Sequence, residues 1–264
     1  MNADVFGVDR PLVGMVHLPP LPGAPEFDGD RAAVRDRALA DARALAAGGV
    51  DGVLVENFGD APYYPDEVPA HVVASMTSVV GRVCDAVDLP VGVNVLRNDA
   101  GAAVSVAAAT GARFVRVNVH AGARVTDQGV VEGRAHETLR LRDRLDADVR
   151  VLADVAVKHS SALGPERPVA AAAAELVERG LADGVIVTGA RTGRAVGRPD
   201  LEAVTAALSD APAFVGSGVT PETAPDLLAV GDGAIVGTAL KTDGDVRAPV
   251  DIARVRALVE AVRG

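Results

Sequence analysis

The chain has 264 residues, 49% of them hydrophobic but only 3% aromatic, with no Trp and a formal net charge of −10. That balance argues against non-specific binding to nucleic acid or to an anionic membrane surface, and no apolar run nears the roughly 20 residues of a membrane span. A single cysteine, Cys84, excludes an internal disulfide and a cysteine-based metal cluster.

Strand-like and helix-like runs alternate along the whole chain. Leu12–Leu18 reads as a first strand, and residues 31–47 as a helix closed by Gly48 and Gly49. Further strands are expected at Gly52–Asn57, Pro90–Leu96, Phe114–His120, Val149–Val155 and Gly184–Thr188, with helices near 67–87, 99–110, 136–145, 168–179 and 199–208. The seventh and eighth strands lead into Gly216-Ser217-Gly218 and into Gly237-Thr238, followed by a short helix after Pro221 and a last one over 250–262. Eight such units predict one (β/α)8 TIM-barrel domain over 1–264, with Ala, Val and Leu filling its interior. Helix-to-strand connections are short, whereas several strand-to-helix loops are long, so function is expected at the C-terminal ends of the strands.

Alternation along each strand separates inward from outward side chains. In the fourth strand Val115, Val117 and Val119 share one face, while Arg116, Asn118 and His120 share the other and point to the barrel axis. The same rule gathers Glu56, Asn94, Arg116, Asn118, Asp154 and Thr188 into an inward polar ring, with His17 at the end of the first strand. Such a ring costs stability unless its members pair, as Arg116 would with Glu56 or Asp154, or are used. Glycine-rich backbone after the last two strands offers N–H groups to an anion, so Gly216, Ser217, Gly218, Gly237 and Thr238 are candidate phosphate ligands. The competing reading is a pair of tight turns.

Only two lysines occur, Lys158 and Lys241, each just after a strand, which makes them candidates for amine chemistry or compact phosphate contact. His159 beside Lys158 is an acid–base candidate with Glu56 and Asp154. Arg191, Arg194 and Arg198 form a possible anion-gripping loop, with Arg191 the substrate-binding candidate among them. Tyr63 and Tyr64 would either stack on a planar ligand or bury against the rim. His17, Glu56, His120, Asp154 and His159 leave a divalent metal as an alternative, but no closely spaced ligand cluster occurs, and no cofactor is expected. The acidic, lysine-poor composition suits a high-salt cytoplasm. The first residues carry no basic region followed by an apolar one, so a cytoplasmic location is expected.

Several stretches resemble the BtpA family. They include Val13-Gly-Met-Val-His-Leu-Pro-Pro-Leu-Pro-Gly-Ala-Pro25, Gly52-Val-Leu-Val-Glu-Asn-Phe-Gly-Asp60, Pro90-Val-Gly-Val-Asn-Val-Leu-Arg-Asn-Asp99, Phe114-Val-Arg-Val-Asn-Val-His120, Asp154-Val-Ala-Val-Lys-His159 and Val215-Gly-Ser-Gly-Val-Thr-Pro221. The resemblance implies a TIM barrel of the ribulose-phosphate-binding type. It implies less about function, because the family is named for a role in photosystem I biogenesis while relatives occur in organisms without photosynthesis; a non-catalytic assembly or membrane-biogenesis factor is the alternative to an enzyme. Members are sometimes labelled phosphoribosylanthranilate isomerase-like. That isomerase family uses a cysteine base at the end of its first strand, where this chain has Met15-Val-His17, so the activity is not expected here.

Together these readings predict an enzyme acting on a small phosphorylated molecule, with Glu56, Asp154, Lys158 and His159 catalytic. His17, Asn94, Arg116, Asn118, Thr188 and Arg191 would bind substrate. A homo-oligomer is expected, with no nucleic-acid partner and no stable membrane insertion.

Overall fold

A computed structural model describes residues 1–155, 157, 160–189 and 196–264. Eight parallel strands close into a barrel: β1 (Leu12–His17), β2 (Gly52–Glu56), β3 (Val91–Asn94), β4 (Phe114–Val117), β7 (Arg150–Asp154), β9 (Gly184–Val187), β10 (Ala213–Val215) and β11 (Gly233–Val236). Their order around the ring follows the chain, and β11 returns to pair with β1. The residues expected between 121 and 133 as a plain loop instead form β5 (Ala123–Thr126) and β6 (Gly129–Glu132). These two strands make an antiparallel hairpin that β8 (Ser160–Ala162) extends into a three-stranded sheet.

The helices are α1 (Asn2–Phe6), α2 (Arg31–Gly48), α3 (Ala70–Ala86), α4 (Ala100–Thr110), α5 (Ala135–Arg144), α6 (Val169–Glu178), α7 (Arg198–Ala207), α8 (Ala224–Leu228) and α9 (Ile252–Arg263). Aspartates set several helix starts. Asp30 accepts from the N–H groups of Ala32 and Ala33, Asp99 from Ala102, and Asp251 from Ala253, satisfying donors that a first turn leaves orphaned. Gly49 and Gly111 end α2 and α4 in the left-handed conformation. Helix α3 starts at Ala70, three residues later than the sequence suggests, because Pro69 caps it and the Val68 N–H is given to Asp99. Among the described residues no helix is long and apolar enough to cross a membrane.

Two apolar layers result from the alternation. Val115, Val117, Val151 and Val185 face the helices, whereas Val13, Leu54, Phe114, Leu152, Ile186 and Phe214 fill the barrel. With few large residues available, phenylalanines plug the floor. Gly92 leaves room for the Phe114 ring and Gly233 for Phe214; a Cβ at either glycine would collide with that ring. The Phe6 ring of α1 closes the plug, edge-on to Phe114 at 5.3 Å and 6.1 Å from Phe214. At five residues α1 is too short to leave a periodic signature, and tertiary contacts hold it: Asn2 Nδ2 donates to the carbonyls of Asp9 and Asp232. With the floor sealed, the open end of the barrel is the C-terminal end of its strands.

Candidate functional site

A cavity of about 490 Å³ occupies that open end. His17, Glu56, Arg116, Asn118 and Asp154 line one part of it, and the glycine turns after β10 and β11 line another. Strand alternation brings the polar group together, since Glu56 and Asp154 are the last residues of β2 and β7 and Arg116 lies within β4.

Asp154 is the hub of one cluster. Arg116 donates through Nε and one terminal nitrogen to its two oxygens, each at 3.0 Å, and Asn118 Nδ2 donates to Oδ2 at 2.8 Å. Burial works against the Arg116 charge, but the attraction and hydrogen bonds of Asp154, and then Glu56, outweigh it and raise the guanidinium pKa. Both Asp154 oxygens act as acceptors in this arrangement. This orients the Asn118 amide with its nitrogen toward Asp154. Its Oδ1 then has no hydrogen-bond partner among the described residues although the side chain is buried.

Glu56 anchors a second cluster. Its Oε2 accepts from Asn94 Nδ2 at 2.6 Å, and its Oε1 lies 3.8 Å from His17 Nε2. Asn94, expected on the cavity wall, is buried behind Glu56 and is absent from the lining residues. The His17 ring packs on Phe58, with centroids 4.8 Å apart. The ring also lies close to Gly237, where an added Cβ would be 2.9 Å from His17 Cε1. Tyr63 gives its hydroxyl hydrogen to the Phe58 carbonyl at 2.7 Å. Burial first, then the negative charge of Glu56, pushes the Tyr63 phenol above its ordinary pKa range, so it remains a donor.

The glycine turns have distinct jobs. Gly216 gives its N–H to the Val187 carbonyl, and a Cβ there would strike Ile186 and the buried Thr188. Its contribution is close approach of backbone. Ser217 Oγ accepts from the Gly189 N–H at 2.6 Å, tying this turn to the end of β9. Gly218 takes a positive φ of 73°, and its carbonyl accepts from Thr223 Oγ1. Gly237 and Thr238 open a helical turn that Leu240 N–H closes onto the Gly237 carbonyl.

Two sequence expectations are corrected. His120 does not face the barrel axis: β4 ends at Val117, so alternation no longer governs position 120, and the ring turns outward to the Gly180 carbonyl at 2.8 Å. Burial holds its pKa below the ordinary value. Lys241 is not at the mouth either. Its ammonium is fully buried against Asp41 of α2, at 3.0 Å, and serves the packing of α2 under the loop after β11. Among the described residues no group of three or more His, Cys, Asp or Glu is arranged to hold a metal ion. Cys84 sits in α3, away from the mouth.

Lys158, His159, Arg191 and Arg194 lie outside the described residues. Arg198 begins α7 and pairs with Glu202 one turn on. The cavity wall also includes Phe58, Leu96, Arg97 and Val157, which sequence reasoning did not single out. They follow strands without any periodic pattern, and only the Asn-Phe-Gly-Asp and Leu-Arg-Asn-Asp junctions marked their loops.

The model for the BtpA family matches residues 8–264, and the chain belongs to that family. It is 46% identical over 257 residues to the photosystem I biogenesis protein BtpA of Synechocystis sp., covering 97% of this chain and 89% of that one. Among solved structures, (S)-3-O-geranylgeranylglyceryl phosphate synthase from Thermoplasma acidophilum, in complex with its substrate sn-glycerol-1-phosphate, matches with a TM-score of 0.62 at 16% identity, over 99% of this chain and 96% of that one. Phosphoribosyl anthranilate isomerase from Thermus thermophilus matches with a TM-score of 0.57 at 13% identity, over 95% and 98% of the two chains. At these identities the two structures show the shared barrel fold alone.

Proposed function

We propose that this BtpA-family barrel is an enzyme that acts on a small phosphorylated molecule, a sugar phosphate or a nucleotide-derived one, by acid–base chemistry. The observation that carries the reading is one cavity in which the glycine turns after β10 and β11 face buried ionisable groups. The turns supply close-approach backbone for a phosphate. Arg116 and Asn118 orient the remainder of the molecule, and Glu56 with His17 moves a proton. Asp154 sets the charge of Arg116, and Lys158 and His159 remain catalytic candidates from sequence. The structural neighbour that binds sn-glycerol-1-phosphate supports the phosphate assignment by analogy of fold. An isomerase, lyase or hydrolase reaction fits these groups.

The test is a thermal-shift screen of phosphorylated metabolites followed by soaking of crystals. A ligand at a hundredfold excess over its Kd stabilises the fold by about 2.7 kcal/mol, a readily measured rise in Tm. No shift with any phosphorylated metabolite, together with empty turns after β10 and β11 in soaked crystals, overturns the proposal.

A second reading, a non-catalytic assembly factor, is favoured by the name of the cyanobacterial relative and by the internal pairing of Arg116 with Asp154. Glu56→Gln separates the two. An enzyme loses turnover of a co-purifying metabolite, identified by mass spectrometry, while keeping its thermal shift. A scaffold keeps its cellular phenotype.

A further inference from the structure

The chain has two tyrosines, and they stand side by side in the segment after β2. They mark a second cavity of about 340 Å³ that opens beside the main one, with Tyr63 and Leu96 forming walls of both. Prolines 25, 62 and 65 stiffen its sides, and Asp60 and His71 give it polar edges. Asp60 is held in place by Asn57 Nδ2 at 3.0 Å and by the Leu21 N–H at 2.7 Å. Tyr64 contributes an exposed ring, 48% accessible, whose carbonyl is fixed by the Arg97 N–H at 2.9 Å. In a chain with 3% aromatic residues, where Phe6, Phe114 and Phe214 are spent on the barrel floor, this concentration of rings at the mouth is distinctive.

The two cavities are joined by a continuous wall. It runs from Gly237 to the His17 ring, from His17 to the Phe58 ring, and through the Phe58 carbonyl to the hydroxyl of Tyr63. The ring order β11, β1, β2 explains this: the anion turn after β11 and the tyrosine segment after β2 are separated only by β1 and its His17. A molecule seated with an anionic head at Gly237 and Thr238 would extend along this wall and arrive at Tyr63 and Tyr64.

We propose that the second cavity receives a planar heteroaromatic ring, so that the ligand of the mouth is nucleotide-like: phosphate at the glycine turns, a hydroxylated sugar in the main cavity, and a base against the tyrosines. Aromatic rings favour any flat π-face, and rigid proline walls admit a flat group without ordering a flexible loop. The inference rests on the phosphate reading of the same mouth and adds the chemistry at its other end.

Calorimetric titration of the full chain with inorganic phosphate, ribose 5-phosphate, adenosine and adenosine 5′-monophosphate tests it, on the wild type and on Tyr64→Ala and Tyr64→Phe. The nucleotide should bind about tenfold tighter than ribose 5-phosphate. That ratio should fall to near unity in Tyr64→Ala and persist in Tyr64→Phe, which keeps the ring. Tyr64 is exposed, so its truncation spares the core. Equal affinities of the two phosphates in the wild type, or a ratio that survives Tyr64→Ala, overturn the inference while leaving the phosphate reading standing. If no phosphate-bearing probe binds, the phosphate reading falls and the nucleotide assignment falls with it, whereas adenosine binding lost in Tyr64→Ala would still uphold the ring site.

Discussion

The buried pair of Lys241 and Asp41 gives a quantitative test of how this barrel is held together. The two side chains are 0% and 2% exposed, and Nζ lies 3.0 Å from Oδ2. Asp41 also accepts from the Val250 N–H at 2.8 Å and from Arg37 Nε at 3.1 Å. Asp41→Asn keeps the volume and an oxygen for Val250 but removes the counter-charge of a buried ammonium. Breaking one side of such a pair costs about 3–5 kcal/mol. Lys241 has one escape, which is to lose its proton. From its ordinary pKa of 10.5 that costs about 1.4 kcal/mol per pH unit, hence about 5 kcal/mol at pH 7 but only about 2 at pH 9. Burial lowers the Lys241 pKa in the fold, with Asp41 opposing. The unfolded chain therefore holds more protons in the window below 10.5, and stability rises with pH there, more steeply once Asp41 is neutral. Denaturant unfolding of wild type and Asp41→Asn at pH 7, 8 and 9 should show a destabilisation of about 4 kcal/mol falling to about 2. At pH 7 the loss corresponds to roughly 8–16 °C in Tm. A difference that stays constant across this range, or is near zero at pH 7, would refute a charged, fully buried lysine.

Two further substitutions separate the mouth from the floor. Gly237→Val pushes a side chain into His17 Cε1 and displaces backbone at the proposed anion turn. Loss of one charge-assisted contact, about 1.5–3 kcal/mol, should weaken phosphate binding at least about tenfold in titration. Unchanged affinity would remove this turn from the anion site. Phe6→Ala empties the plug beneath Phe114 and Phe214 and should cost about 3–5 kcal/mol with unchanged ligand affinity. A smaller loss would mean that α1 does not close the floor.

Alternation made the barrel legible because its strands are valine-rich on the helix-facing side, so the polar residues opposite could only point inward. Glu56, Arg116 and Asp154 follow that rule and meet at the cavity. The rule lasts as long as the strand does. At His120 the chain has left β4, and only the three-dimensional position of Gly180 decides where the ring goes. Lys241 failed for another reason: its partner Asp41 is 200 residues away in sequence, and a pair of that separation leaves no local mark. The β5–β6 hairpin was hidden because its faces are half-exposed, with Val130 outward and Val131 buried on Val119 and Val157.

The geometry also divides labour among carboxylates that the sequence treats alike. Asp154 accepts three hydrogen bonds, two of them from a guanidinium whose charge it sustains. Both of its oxygens are thereby committed to Arg116 and Asn118. Glu56 accepts from the Asn94 amide and faces a histidine whose ring lies close to Gly237, the proposed anion turn. Under the proposed reading, a proton passing between Glu56 and His17 travels along the wall that joins the phosphate turn to the tyrosine cavity. On that reading chemistry therefore belongs to the β1–β2 side of the mouth, at the junction between the phosphorylated sugar and its ring. The Arg116–Asp154–Asn118 cluster also lines the cavity and offers as an acceptor the Asn118 Oδ1, which has no partner among the described residues. The two carboxylates thus stand in different settings, Asp154 paired with a guanidinium and Glu56 beside an imidazole.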